Sequence, residues 1–259
     1  MSLSSIQEKI FSLSWEPALI LLAAFVGAEA TAAQTPELAR IVARHVTAIG
    51  GQKRLDSIQS FQMSAIVNER GTLHPLFIDR RRPNLLRVRM MHGGDLVFTE
   101  VYTGSGSWEG APGKENCAPD SGARNATRRA AEEFDDPLLA ALSHAATAQL
   151  KGRVRLGGQD LYQIDVTQTD GNQGSYFLDS HSFLLNRVRN HRPMHPGEPS
   201  RLVELVLDDY RPLSGVLFAF RSIERDVETG EPLTVGLLLW GEANVPVTGD
   251  PYAIPATCH

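Results

Sequence analysis

Phe61-Gln62-Met63-Ser64-Ala65-Ile66-Val67-Asn68 and Leu86-Arg87-Val88-Arg89-Met90 decide the fold. In the first stretch Phe61, Met63, Ala65 and Val67 alternate with Gln62, Ser64, Ile66 and Asn68. In the second, Leu86, Val88 and Met90 alternate with two arginines. Successive side chains of a strand point to opposite faces, so a period of two marks a β-strand with two unlike faces. One apolar and one charged face is how an antiparallel sheet with one wet side reads.

The same pattern extends outward. Residues 76–81 precede a turn at Pro83-Asn84, Gly93-Gly94 turns the chain back into 96–102, and Gly104, Gly106 and Gly110 bracket a short strand around Trp108. Further on, 153–156 leads to Tyr162, Ile164 and Val166, which alternate with Gln163, Asp165 and Thr167, and Asp170-Gly171 turns a hairpin. Strands at 176–178, 183–189, 201–207, 216–225 and 233–240 complete a set of about eleven, with no βαβ alternation. Residues 110–124 and 191–200 are rich in Pro and Gly and read as loops. No internal repeat or linker is evident.

Helices are few. Thr35 suits an N-cap and Pro36 the first turn, and Leu38, Ile41, Val42, Val46 and Ile49 share one face of a helix over 36–49 that Gly50-Gly51 ends. A short helix is expected at 52–57. A third helical region is expected over 126–149, broken at Asp135-Asp136-Pro137. The predicted class is therefore mainly antiparallel β (α+β). So many twisted strands in one sheet curl, and the helices are the candidates to cover the apolar concave face. If they act as a lid, room for an apolar guest remains beneath them. Its expected wall residues are Phe61, Met63, Met90, Phe98, Trp108, Phe177 and Trp240, because aromatic and Met side chains give adaptable apolar contact.

The 259-residue chain is 42% hydrophobic, enough to bury a sizeable core, and its net charge of −5 lacks the basic balance of nucleic-acid binders. Residues 18–27 are uninterrupted apolar, and Ala28-Glu29-Ala30-Thr31-Ala32-Ala33 supplies an A-x-A site. This reads as a secretory signal peptide over 1–33, with a single domain over 34–259; an uncleaved N-terminal anchor is the alternative. Export implies a periplasmic, soluble mature chain. Cys117 sits in a loop and Cys258 is the penultimate residue; in an oxidising compartment they either pair or remain two free thiols.

The order of landmarks along the mature chain resembles the LolA-like family of outer-membrane lipoprotein-sorting proteins. The matching residues are Gly50-Gly51 with Leu55, Ile58 and Ser60; Tyr102-Thr103-Gly104-Ser105-Gly106-Ser107-Trp108; and Phe134-Asp135-Asp136-Pro137-Leu138-Leu139. Lys151-Gly152, Tyr162, Asp170-Gly171 and Tyr176-Phe177-Leu178-Asp179 follow, then Gly215-Val216-Leu217-Phe218-Ala219-Phe220 and Asn244-Val245-Pro246-Val247. Thr103 stands where the family usually has an acid, and Ala219 where Pro is common. The resemblance implies a half-open, incompletely closed barrel with helices over its mouth and a cavity that accepts acyl chains.

Motifs for chemistry are absent: there is no G-x-S-x-G elbow, P-loop, H-E-x-x-H or dinucleotide fingerprint. His191, Met194 and His195 offer a weak soft-metal set in a loop, for which a solvated loop is the simpler account. His144 reads as a surface residue, and Asp135-Asp136 as a helix start. No enzyme activity, metal or cofactor is expected. The expected function is a periplasmic carrier for a lipid or lipoprotein acyl chain. The alternative is a sensor module that binds an envelope membrane-protein partner through the same fold.

Overall fold

Each strand hydrogen-bonds antiparallel to its sequence neighbour except at one seam. The computed structural model describes residues 35–103, 107–112, 114–116, 134–193, 199–246 and 249–253, all within the compact unit Ala32–His259. Two helices come first, α1 (Pro36–Ala48) and α2 (Gln52–Ser57). A first meander follows: β1 (Ser60–Glu69), β2 (Thr72–Arg81), β3 (Leu85–His92), β4 (Asp95–Tyr102), β5 (Ser107–Ala111) and β6 (Lys114–Asn116). After α3 (Pro137–Ser143) comes a second: β7 (Ala145–Leu156), β8 (Gln159–Gln168), β9 (Gln173–Asp179), β10 (Leu185–Arg192), β11 (Arg201–Leu213), β12 (Val216–Asp226) and β13 (Pro232–Ala243). The first strand pairs with the last, so the order is β6-β5-β4-β3-β2-β1-β13-β12-β11-β10-β9-β8-β7. The ends, β6 and β7, do not pair in that order, so the sheet is unclosed.

The hairpins explain the regular meander. Arg70-Gly71, Gly93-Gly94, Gly157-Gly158 and Ser214-Gly215 are two-residue turns with both φ values positive. That geometry matches the twist of the flanking strands, which a two-residue turn with negative φ would splay.

Helix α1 starts as the sequence indicates. Thr35 accepts a hydrogen bond from the Leu38 amide at 3.3 Å, and Leu38 and Ile41 are fully buried. Gly50, at φ 128°, ends it against the β11–β12 turn: a Cβ there would lie 2.8 Å from the Gly215 carbonyl oxygen. Beside it the Leu217 amide donates to the Ile49 carbonyl at 2.9 Å.

Two expectations are corrected. The third helix ends at Ser143, and 145–149 belongs to β7 rather than to a helix. Ala148 pairs with Val166 and Leu150 with Ile164, and this ladder outweighs the helical preference of Ala, Gln and Leu. The segment 110–124 is also not loop throughout. Residues 114–116 form β6, which folds back on β5 with Ala111 opposite Lys114. The sheet therefore has thirteen strands among the described residues.

Replacing Gly50 by Ala should lower the unfolding free energy by about 1–3 kcal/mol, through backbone strain and the forced approach to Gly215. Gly51→Ala, with no atom within 4 Å of the new Cβ, should cost less. Chemical denaturation of both variants checks the order.

Candidate functional site

The helices plug one half of the sheet. Leu38 and Ile41 of α1 and Leu138 and Ala141 of α3 pack with Tyr162, Ile164, Val166, Tyr176, Leu178, Leu185 and Val188 in one cluster. Six of these side chains are 0% exposed: Leu38, Ile41, Leu138, Ile164, Leu178 and Leu185. The helix-side centre of β8–β10 is buried beneath them.

A buried polar pin holds the plug. His45 of α1 is 0% exposed. Its Nδ1 lies 2.8 Å from the Phe183 carbonyl oxygen, and its Nε2 lies 3.0 Å from Asp136 Oδ1. Both ring nitrogens face acceptors, which the imidazolium with two N–H donors satisfies. Asp136 Oδ1 also accepts from the Leu138 and Leu139 amides, so one carboxylate caps α3 and receives α1. Burial by itself lowers the His45 pKa. The hydrogen bond to Asp136, the charge of Asp136 and the Phe183 carbonyl outweigh it and leave the pKa above the usual 6.5. Nearby, the half-buried Tyr210 hydroxyl donates to the Leu185 carbonyl at 2.6 Å. Burial, and then the Asp136 charge, keep it protonated.

The residue before this pair works on the other half of the sheet. Asp135 receives both Arg82 terminal nitrogens, at 3.2 and 2.6 Å, and Arg82 Nε donates to the Ile58 carbonyl at 3.0 Å. The Arg82 guanidinium stacks on Phe134, 4.6 Å from the ring centroid. Phe134 in turn stacks on Phe61 at 5.3 Å, and Phe218 meets Phe61 edge-on at 4.7 Å. Phe61, Phe134, Ile58, Leu213 and Val216 form a second cluster, with Met63, Phe218 and Leu238 against it.

Beyond that cluster the helix-bearing face of the first meander is only half-buried and carries a line of apolar side chains. Pairing places Leu238, Ala65, Leu76, Met90 and Phe98 side by side across β13, β1, β2, β3 and β4. The neighbouring rung runs Met63, Ile78, Val88, Glu100. Strand spacing makes the five-residue rung roughly 19 Å long. Leu76, Ile78, Val88, Met90 and Phe98 retain partial exposure, and among the described residues they lie outside both clusters.

Of the residues expected to line a cavity, Phe61, Met63, Met90 and Phe98 therefore share this face, with Phe61 spent in the aromatic stack. Trp108, Phe177 and Trp240 lie on the opposite face. Trp108 pairs with Val101, one step from Tyr102. Trp240 pairs with Ser64, because a bulge at Leu239 separates it from Leu238, which pairs with Ala65. Phe177 sits between Tyr176 and Leu178 of the helix-side cluster and faces outward under Arg189.

That outer face carries two similar ion-pair networks. On β3, Arg87 and Arg89 reach the 4%-exposed Asp79 of β2 at 2.8 and 3.5 Å. On β10, Arg187 and Arg189 reach the 7%-exposed Glu204 of β11 at 3.1 and 2.7 Å. Both strands read Arg-Val-Arg, with Val88 and Val188 on the helix side. Next to the first network Trp240, Leu237, Phe77 and Leu73 are exposed.

Two hollows have mixed polar and apolar linings. One of about 470 Å³ lies between the start of α1 and β7–β8. The other, of about 130 Å³, lies where Val245, Pro251 and Tyr252 close on Gln62 and Asp79. Neither includes the apolar rung. Among the described residues no group of three His, Cys, Asp or Glu is placed to hold a metal ion. His191 is exposed near the end of β10, while Met194, His195, Cys117, Cys258 and the apolar N-terminal run lie outside the described residues. His144 is exposed, directly after α3. Among the described residues, no helix is long and apolar enough to cross a membrane.

No protein-family model matches this sequence, and no curated protein matches it. Solved structures do. A DUF1329 family protein from Desulfovibrio piger is 12% identical, with a TM-score of 0.59 over 83% of this chain and 96% of its own. A LolA superfamily protein from Nitrosomonas europaea is 13% identical, with a TM-score of 0.53 over 77% and 94%. A domain assigned to outer-membrane lipoprotein sorting, from Vibrio parahaemolyticus, is 12% identical, with a TM-score of 0.55 over 81% and 93%. The likeness is one of fold, and it agrees with the resemblance read from the landmarks.

His45→Ala should cost about 3–5 kcal/mol, because it leaves the Asp136 carboxylate without its buried partner. In the native chain the pin's contribution is complete below pH 6.5, the unfolded value, and is lost as pH rises through the higher folded value. Urea melts from pH 6 upward should show that decline, and the His45→Ala chain should lack it.

Proposed function

We propose that the half-buried apolar face over β13, β1, β2, β3 and β4 receives an acyl chain of a lipid or lipoprotein, and that the protein carries this guest without altering it. The observation that carries the reading is the Leu238–Ala65–Leu76–Met90–Phe98 rung: five apolar side chains in line on the helix-bearing face. Packed helices cover much of the other half of that face, which leaves the first-meander half, among the described residues, as the apolar surface open to an added chain. Each covered methylene contributes about 0.8 kcal/mol, so eight contribute roughly 6 kcal/mol before ordering costs. Met90 and Met63 allow the wall to fit chains of different shape.

The apolar run at 18–27 and the Ala-rich stretch after it support export, with a periplasmic site of action. The fold, shared with a LolA superfamily protein and a lipoprotein-sorting domain, is compatible with such a carrier. A second reading, docking to an envelope membrane protein, is favoured by the exposed Trp240, Leu237 and Phe77 on the outer face. The two readings use opposite faces, so one set of variants separates them.

Met90→Glu and Phe98→Glu should each weaken uptake of a fluorescent fatty acid by at least about tenfold, since a buried charge costs several kcal/mol. Trp240→Glu should leave uptake unchanged. Uptake that persists in both inner-face variants, or fails only in Trp240→Glu, contradicts the reading.

A further inference from the structure

The outer face of the sheet also divides in two. Over β8–β11 it carries polar networks: Gln163 and Ser175 hydrogen-bond Asp165 at 2.8 Å, and Arg187 and Arg189 close on Glu204. Over β13–β4 it is apolar. Trp240 and Phe77 flank Ser64 in one line across β13, β1 and β2, and Leu237 and Pro75 flank Ile66 in the next. Leu73 of β2 heads a third line, opposite Asn68. Met91 of β3, on the same face as Arg87 and Arg89, pairs with Leu96 of β4 and widens the block. Leu73, Phe77, Leu96, Leu237 and Trp240 are all exposed, Trp240 by 49% and Leu73 by 61%. The other two large hydrophobics exposed among the described residues, Val97 and Leu239, are the bulged residues of β4 and β13.

The inner rung Leu238–Ala65–Leu76–Met90–Phe98 lies directly behind this block, so the same strands are apolar on both sides. Strands of that kind belong to sheets covered on both faces, and a monomer rarely leaves so large an apolar patch in water. The charges around the patch balance. Arg87 and Arg89 meet Asp79, Arg221 meets Asp208 at 2.9 Å, and Glu242 stands opposite Gln62. Three cations against three carboxylates give no net attraction for an anionic lipid surface and no repulsion of an identical copy. The first line is also notched. Phe77 and Trp240 stand two strand spacings apart, roughly 10 Å, with only Ser64 between them. One further ring fits there at about 5 Å from each, the separation at which aromatic rings pack.

We propose that the outer apolar face over β13, β1, β2, β3 and β4 is the interface of a two-fold symmetric dimer of this chain. A second copy supplies both the apolar cover and the inserted ring, and under two-fold symmetry each copy gives one ring and receives one. Five strands by three lines span roughly 500 Å² on each copy, or about 1,000 Å² in the pair, the lower bound of a specific interface. The dimer is therefore weak, with a Kd of roughly 10–100 µM. It stands independently of the acyl-chain reading, which uses the opposite face.

Sedimentation velocity of the full chain from about 1 to about 500 µM tests it. The average mass should rise with concentration toward twice that of the monomer. Trp240→Ser combined with Phe77→Ser should weaken the dimer at least tenfold, and Ser64→Arg, which fills the notch, should do the same. The Trp240 and Phe77 side chains are exposed, so the double variant should keep the urea midpoint of the native chain. Met90→Glu, on the guest's face, should leave dimerisation unchanged. A chain that stays monomeric at about 500 µM overturns the proposal, including one that instead binds lipid vesicles or a membrane protein through Trp240. So does a dimer indifferent to the Trp240, Phe77 and Ser64 substitutions, or one lost equally in Met90→Glu.

Discussion

The pairing of His45 with Asp136, buried against the Phe183 carbonyl, is the constraint on which the rest of the molecule depends. It joins the first helix, the cap of the third and the β9–β10 connection in one hydrogen-bonded unit. Around it the four residues Phe134-Asp135-Asp136-Pro137 act as a strap between the two meanders. Phe134 and Asp135 grip Phe61 and Arg82 of the first, and Asp136 seats the helices on the second. Unpaired, either member of the pin would be a polar group buried at a cost of several kcal/mol, so the plug has one seating rather than many.

That seating divides the helix-bearing face unevenly. Beneath α1 and α3 the helix-side residues of β8–β10 are buried, and a guest there would have to displace packed core. Over β13–β4 the apolar side chains are left half-covered. The outer face is treated differently again, with arginines folded over Phe77 and Phe177 and closed on buried carboxylates. Helix placement, more than strand composition, thus decides where an apolar guest finds surface.

Much of this was legible in the sequence, because alternation survives wherever one face is wet. Leu86-Arg87-Val88-Arg89-Met90 reads directly as β3, and Thr35-Pro36 as the start of α1. Asp136-Pro137 reads as a helix cap. What could not be read was anything set by long-range registration. Trp240 and Leu238 look like same-face neighbours until the bulge at Leu239 separates them. Tyr176, Phe177 and Leu178 are all buried, so β9 shows no period from which an inward residue can be chosen. His45 falls on the apolar stripe of α1, yet its partner lies 91 positions away. The bulge at Lys151 is marked in sequence by Gly152 alone. The pairing that makes 145–149 a strand is with 164–168, and nothing local announces it.

The central claim is that an apolar guest lies on the first-meander half of the helix-bearing face and not beneath the helices. A diazirine-bearing fatty acid, bound to the protein, photolysed and mapped by mass spectrometry, tests it most directly. Labels on Leu76, Met90, Phe98 and Leu238 are the expected result. Labels on Tyr162, Ile164 or Tyr176, under α1 and α3, or solely on the outer Trp240 and Phe77, would contradict it.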